Sequence, residues 1–419
     1  MNRQEFLKMA LLAFPAMAAS ASRPAPSLHA PDGAVTDEHY WKLVRSEFPL
    51  SDEMTYLNTG SMGVSPYSVI EAIHRTMLRI NTKAQYGGGD REAMVVLAGF
   101  VGADADEMVF THNVTEGNNL VAQGLPLKAG DEVIMTQHEH VGGALPWLNR
   151  ARHDGIVIKV IQLGVTGAAT LAIIESAITA KTRALALPHI PCTIGQVLPA
   201  KDIAALARSR GIYSCFDGAH GPGMLNLDLH DIGCDFYASC CHKWMMGPKG
   251  TGFLYVRKER LDELKPIMVG ASSETGWDML SNPPVMKGYA PSAHRFYYGT
   301  QSAESYAGIE ATVRFHETIG KQVIEDRGRY LANTLRKKLR ALGDAVELVT
   351  PEEPFSRGAI TAFRLRTMTM HKFQELAGKE RFNIRTIPEN NVNCIRISTH
   401  IYNQLEEIER FADLVKRCV

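Results

Sequence analysis

From about residue 107 to residue 260, short continuous apolar runs alternate with amphipathic stretches, and this alternation constrains the fold more than any other feature. Strands are predicted at Glu107–Phe110, at Glu132–Thr136 after an Ala129-Gly130-Asp131 turn, at Gly155–Leu163, Thr182–Ile190, Gly211–Phe216, Asp235–Ser239 and Gly252–Val256. Helices are predicted from Glu116 to Gln123 and at about 168–179 and 200–210. Apolar strands separated by helices imply a mainly parallel sheet buried on both faces, an α/β architecture. Ligands of such sheets bind beyond the carboxyl ends of the strands, so chemistry is expected where these runs end.

On either side the pattern changes. Trp41–Phe48 reads as a short helix, Thr55–Asn58 runs into a turn at Gly60, Gly63 and Pro66, and Ser68–Ile80 carries helical apolar spacing up to the Gly87-Gly88-Gly89 break. The last third has helices at about 302–317 and 321–342, strands near 346–350, 358–366, 382–387 and 393–399, and helices at about 369–378 and 403–417. That is an α+β unit. A chain of 419 residues exceeds what one core usually organises. The predicted organisation is a segment 36–90 lying on both domains, a large domain 91–290 and a small domain 291–419.

The first residues obey another rule. Arg3 and Lys8 precede an apolar run from Met9, and Ala19-Ser20-Ala21 follows as a small-x-small cleavage pattern. Asn2 to Lys8 resembles a twin-arginine export signal with Gln4 in place of the second arginine. Residues 1–21 are expected to be a signal peptide and 22–35 a linker, which implies export to the periplasm; the alternative is an amphipathic helix on a cytoplasmic protein. The apolar run is too short to span a bilayer, so no stable membrane insertion is expected. Lys plus Arg equals Asp plus Glu at 45 each, and no global field attracts nucleic acid. Seven cysteines without a Cys-x-x-Cys motif imply free thiols and no zinc site of that type.

Two strand ends carry the chemistry. Gly211–Phe216 runs into Asp217-Gly218-Ala219-His220, where a carboxylate can hold a protonated ring nitrogen by a charge-assisted hydrogen bond. The next strand runs through Ser239-Cys240-Cys241-His242-Lys243-Trp244 into Gly247-Pro248-Lys249-Gly250. A lysine held in such a turn suits Schiff-base chemistry. Asn113-Val114-Thr115-Glu116 marks a helix N-terminus, which favours an anion; the plainer reading makes Thr115 a simple cap. His138-Glu139-His140 has metal-like spacing but lacks an evident third ligand. Arg396 lies in a strand, where its planar fork suits a carboxylate or pairs with a local acid.

Taken in this order, the motifs resemble the class V aminotransferases, fold type I pyridoxal-phosphate enzymes, over roughly Tyr56 to Phe411. The His242-Lys243-Trp244 motif is similar to that of the isopenicillin N epimerase branch. The resemblance implies pyridoxal 5′-phosphate bound to Lys243, with Asp217 at its ring nitrogen, His140 stacked on the ring and His220 at the phenolic oxygen. It implies that Val114, Thr115 and His242 hold the phosphate, with Cys240 standing where relatives carry Ser or Asn. It further implies a homodimer in which Thr300, after Arg295-Phe-Tyr-Tyr-Gly299, reaches the neighbour's phosphate, and Arg396 gripping the carboxylate of a small amino-acid substrate. Loss of a proton at Cα then leads to epimerisation, transamination or β-elimination of the C–S lyase type.

Two departures narrow this. The stretch Thr386–Asn393, where desulfurases carry a nucleophilic cysteine, has none, and Cys394 belongs to the following strand. Pro191-Cys192 replaces an asparagine of relatives near the ring. Epimerisation also needs a second proton donor, for which Tyr86 and His189 are the candidates. The non-enzymatic alternative is a degenerate member acting as a binding protein.

Overall fold

The computed structural model describes residues 28–419; the expected signal peptide and the first part of the linker, residues 22–27, lie outside them. In chain order the elements are α1 (Glu38–Arg45), β1 (Thr55–Tyr56), α2 (Tyr67–Lys83), α3 (Asp90–Val101), β2 (Met108–Thr111), α4 (Val114–Gly124), β3 (Glu132–Thr136), α5 (Val141–Asp154), β4 (Val157–Ile161), α6 (Gly167–Ala177), β5 (Thr182–Pro188), α7 (Ala200–Ser209), β6 (Tyr213–Asp217), β7 (Phe236–Cys240) and β8 (Gly252–Val256). They continue as a hairpin β9–β10 (Trp277–Asp278, Val285–Met286), α8 (Ala303–Ile319), α9 (Lys321–Arg340), β11 (Val346–Leu348), β12 (Ile360–Leu365), α10 (Met370–Lys379), β13 (Phe382–Asn383), β14 (Arg385–Ile387), β15 (Cys394–Ser398) and α11 (Leu405–Arg417).

The seven-stranded sheet has the order β2-β8-β7-β6-β5-β3-β4, with β8 antiparallel to both neighbours and the other pairs parallel. All seven strands expected from the apolar runs are present. Alternate residues feed two cores. Leu185, Leu187, Phe216 and Tyr237 face the layer of α3, α6, α7 and α8, while Ala184, Ala186, Cys215 and Ala238 face α4 and α5. The second set is small for a reason. A Cβ on Gly117 would stand 2.8 Å from that of Ala238, so α4 lies nearly on the sheet and its N-terminus is lowered toward the strand ends.

The small domain is an antiparallel sheet of order β11-β12-β15-β14, covered by α9, α10 and α11 through Leu331, Leu335, Phe373 and Phe411. Helix α8, expected on the far side of a boundary at 291, places Tyr306, Ile309 and Val313 in the large-domain core. The segment 36–90 joins the halves, since β1 pairs with β13 while Gly63 N–H donates to the His242 carbonyl at 2.7 Å.

Some elements differ from the expectation. Helix α1 starts earlier than Trp41 because the Asp37 side chain caps the amides of His39 and Tyr40. The run 382–387 is two strands, β13 parallel to β1 and β14 antiparallel to β15. Helices α3 and α5 were not expected. The first starts straight after the glycine break, and the second contains Gly142, Gly143 and Pro146, which erase the helical signal.

Candidate functional site

The carboxyl ends of β6 and β7, the N-termini of α4 and α5 and the turn after β7 converge, and each contributes a polar group. Asp217 ends β6. Its Oδ1 accepts from the Ala219 amide at 3.0 Å and its Oδ2 from Asn118 Nδ2 at 2.9 Å. Both partners are neutral, so this carboxylate is oriented but not neutralised.

Lys243 lies in the turn that follows β7, with its Nζ 3.4 Å from His220 Nε2. Behind it, Trp244 Nε1 donates to His220 Nδ1 at 2.9 Å. That bond makes Nδ1 the acceptor, and burial holds the imidazole well below its ordinary pKa. The neutral ring therefore carries its proton on Nε2 and presents a donor beside the lysine. The turn is clamped from outside: a Cβ on Gly63 would lie 1.8 Å from the Lys243 carbonyl oxygen.

His140 caps α5, its Nδ1 accepting from the Gly142 amide at 3.1 Å. Burial, and then the charge of Lys243, lower its pKa. The first turns of α4 and α5 abut so closely that a Cβ on Gly142 would meet Thr115 Oγ1 at 2.3 Å. Asn113 caps the amide of Glu116, which leaves the Val114 and Thr115 amides, at the positive end of the helix dipole, for an anion. His242 is half-buried, and its buried Nδ1 has no partner.

Arg396 is fully buried in β15. Its Nη1 donates to the Cys192 carbonyl at 3.0 Å, and its Nη2 to Asn58 Oδ1 and Ser61 Oγ at 3.0 and 2.9 Å. Every acceptor is neutral and Nε has none, so no local acid claims this arginine among the described residues. Burial pushes its pKa down to about 10.

Other expected residues stand differently. The Cys240 thiol is buried and engaged by the Ala219 carbonyl at 3.7 Å, and the Ser239 hydroxyl by the Gly218 carbonyl at 2.8 Å, so neither is offered to an anion. Buried Cys394 donates to the Thr193 carbonyl, with its thiol pushed up to about 12 by burial, which is no nucleophile. All seven cysteines are free. His189 is buried with Nδ1 on the Tyr237 hydroxyl at 2.8 Å, and Tyr86 is exposed beside a hollow it shares with Thr300. Neither side chain is hydrogen-bonded to Lys243, Asp217 or Arg396, although the His189 amide donates to the Asp217 carbonyl at 2.8 Å. His138 bonds Thr193 Oγ1 at 2.9 Å and belongs to no metal cluster among the described residues.

Several site residues escaped the sequence reading. Asn118 lies one helical turn after Thr115, a spacing that could have paired it with the same site. Glu139 binds the amide and hydroxyl of Thr136 through Oε1 at 3.0 and 2.9 Å, and burial pushes its carboxyl up to about 8. Asn58 and Ser61 read only as part of a glycine-rich turn.

The family described as aminotransferase class-V matches residues 69–411. The chain belongs to this family. Isopenicillin N epimerase of Amycolatopsis lactamdurans is 30% identical over 400 residues, covering 90% of this chain and 98% of that one. Two solved structures share the fold. The apo cysteine desulfurase from Thermococcus onnurineus NA1 has TM-score 0.80 and 26% identity, over 90% of this chain and 97% of its own. A C-DES mutant with glycine covalently linked to its PLP cofactor has TM-score 0.79 and 27% identity, over 88% and 98%.

Pyridoxal phosphate is the cofactor of this class V protein. The residues fit it on physical grounds. An oriented carboxylate without a cation suits a protonated ring nitrogen, the open amides of α4 and the unpartnered His242 Nδ1 suit a phosphate, and Lys243 is the amine between them.

Proposed function

We propose that this class V enzyme moves the Cα proton of an amino-acid substrate, in the manner of isopenicillin N epimerase, with Lys243 as the cofactor-bearing lysine and base. The observation that carries the reading is Arg396: a fully buried guanidinium with only neutral acceptors, in a site where Lys243 supplies the amine. An isolated buried charge is costly, and a substrate α-carboxylate is the partner that removes the cost.

Bound at Lys243, pyridoxal phosphate supplies a ring that withdraws the electron pair left at Cα. Asp217, aligned by Asn118 and Ala219, keeps a ring nitrogen protonated, and His220 donates through Nε2–H to an oxygen beside the lysine. Val114, Thr115 and His242 hold the phosphate, and His140 covers the ring face. Arg396 orients the substrate, and Lys243 Nζ takes the proton from Cα and returns it.

The products follow from where that proton goes. Delivery of a proton to the opposite face, by a donor other than Lys243, would invert the centre; the bound cofactor would supply the acceptor for an amino-group transfer; and loss of a β-substituent would give elimination. The likeness to a C–S lyase structure keeps elimination as a second reading, without a protein thiol, since Cys394 is buried and bonded. The reconstituted enzyme, incubated in D2O with L- and D-amino acids, is expected to incorporate deuterium at Cα, and chiral and keto-acid analysis assigns the branch. Lys243→Ala abolishes exchange. A protein that binds no cofactor and exchanges nothing is instead a degenerate binding protein.

The working form is a homodimer with Thr300 acting in trans. This is supported by the exposure of Thr300 and by the apolar surface at Trp277, Met279 and Leu280 of the exposed β9–β10 hairpin. The protein is exported by its N-terminal signal, and no helix among the described residues is long and apolar enough to cross a membrane. Sequencing the N-terminus of fractionated protein tests export, which an intact Met1 in the cytoplasm refutes.

A further inference from the structure

One charged pair beside the site has no part in the scheme above. Arg385 and Arg396 are directly opposed on β14 and β15, so their side chains leave the same face of the small sheet. Both guanidiniums lean on one hydroxyl: Arg396 Nη2 is 2.9 Å from Ser61 Oγ, and Arg385 Nη1 is 3.5 Å from it. Their circumstances differ. Arg396 is fully buried and without an anion, whereas the Arg385 side chain is about a quarter open to solvent and is ion-paired to Glu389. Glu389 Oε1 makes that pair, and its other oxygen is buried without a partner.

The pair sits on a constrained loop. Asn390, Asn391 and Asn393 all have left-handed backbone conformations, with φ of 52°, 60° and 48°. Asn390 Nδ2 donates across the domain gap to the Gln137 carbonyl at 2.6 Å, three residues before His140. The loop thus holds Glu389 against Arg385, a cation that leaves the same sheet face as Arg396 and shares the Ser61 hydroxyl with it. A carboxylate on a semi-exposed arginine, carried by a strained loop, is a replaceable internal ligand.

We propose that Arg385 and Glu389 form a gated anion subsite that selects amino-acid substrates bearing a second acidic group on the side chain. The substrate's α-carboxylate takes Arg396 and its side-chain carboxylate takes Arg385, displacing Glu389. This rests on the assignment of Arg396 above and extends it to a substrate class. A neutral side chain leaves the Arg385–Glu389 pair closed, and a basic one meets a second cation.

Glutarate and butyrate, which carry no amine, separate the two carboxylate positions when titrated calorimetrically into the holoenzyme and into the cofactor-free protein. The wild-type protein is expected to bind glutarate more tightly than butyrate. Arg385→Gln should weaken glutarate roughly tenfold, the loss of one charge-assisted contact, and leave butyrate unchanged. Glu389→Gln, which removes the competitor and keeps the shape of the loop, should tighten glutarate. Equal weakening of both ligands by Arg385→Gln makes Arg385 a second clamp on the α-carboxylate and overturns the proposal, as does Glu389→Gln without gain for glutarate. If Arg385→Gln does not fold, Glu389→Gln decides alone. Arg396→Gln is the separate control: butyrate binding that survives it sinks the assignment of Arg396, and the Arg385 comparison still stands on its own.

Discussion

The turn carrying Lys243 is braced by a residue with no side chain, and Gly63→Ala tests how much the chemistry depends on that brace. A Cβ at position 63 would lie 1.8 Å from the Lys243 carbonyl oxygen, 2.9 Å from its carbonyl carbon and 3.2 Å from the His242 carbonyl oxygen. Ordinary non-bonded contact needs about 3.5 Å, so the strands of chain must part by more than an ångström. All three obstructing atoms are backbone, and no rotamer change relieves them. The 2.7 Å bond from the Gly63 amide to the His242 carbonyl breaks as they separate. Overpacking of this kind costs about 1–3 kcal/mol, and misplacing a reacting group by about 1 Å costs on the order of a hundredfold in rate. Gly63→Ala is therefore expected to fold with reduced stability and to lose about two orders of magnitude in Cα deuterium exchange. Borohydride reduction followed by peptide mapping should still find cofactor on Lys243, because the amine is intact. A variant with wild-type exchange and an unchanged melting temperature refutes the reasoning.

Arg396→Met is expected to abolish substrate saturation while changing the stability of the cofactor-free protein by less than about 2 kcal/mol, since an unpaired buried charge is a net cost. Arg327→Met, which leaves the partly exposed Glu38 carboxylate and the Val35 and Asn403 carbonyls without their donor, should cost more, about 3 kcal/mol. Urea midpoints that fall equally for the two variants would contradict this. His189 and His316, held at about 4, and His400, at about 3, are all buried neutral. Their folded values lie below the unfolded value near 6.5, so below that pH the unfolded chain binds protons the native one refuses, and stability should fall as the pH drops from 6.5 toward 4. A flat urea midpoint across that window would sink the reading. The Glu139 carboxyl has the opposite sign: at about 8 when folded, it binds its proton more tightly in the native state, and stability is lost as pH rises from 4.5 through 8. Glu139→Gln, an isostere of the neutral acid, should therefore gain on the wild type across that interval, and a constant difference between the two unfolding curves would count against it.

The legible parts of the molecule are those in which local chemistry and global packing agree. Most strands of the large sheet are legible because they are apolar and buried on both faces; the edge strand β4 is legible from its β-branched run alone, since only Ile161 of its five residues is buried. Asp217 and Lys243 were visible because both follow such strands. Helix α5 was not, since Gly142 and Gly143 are there to let Thr115 and Asp217 approach, and close approach erases the helical pattern. The run 382–387 failed for a topological reason: periodicity reports an extended chain and is silent on its partner, and here the chain changes sheets after two residues. Cys240 was placed by analogy of position, and only the three-dimensional arrangement shows its thiol directed to the Ala219 carbonyl.

The electrostatics of the site explain why the residues that orient its charges carry so little sequence signal. Asp217 is an anion and Arg396 a cation in one site, yet each is bonded only to neutral groups. Asp217 is oriented by Asn118, and Arg396 by Asn58 and Ser61, without a counter-ion for either. These three polar residues have no signature of their own, because their task is to orient a charge without neutralising it. An amide or hydroxyl does that where a counter-ion would cancel the charge the ligand needs. This makes a distinction that can be measured: Asn118→Asp, nearly the same shape but an added negative charge beside Asp217, should impair retention of pyridoxal phosphate on dialysis more than Asn118→Ala does. The reverse order would mean that Asn118 supplies packing rather than electrostatic neutrality.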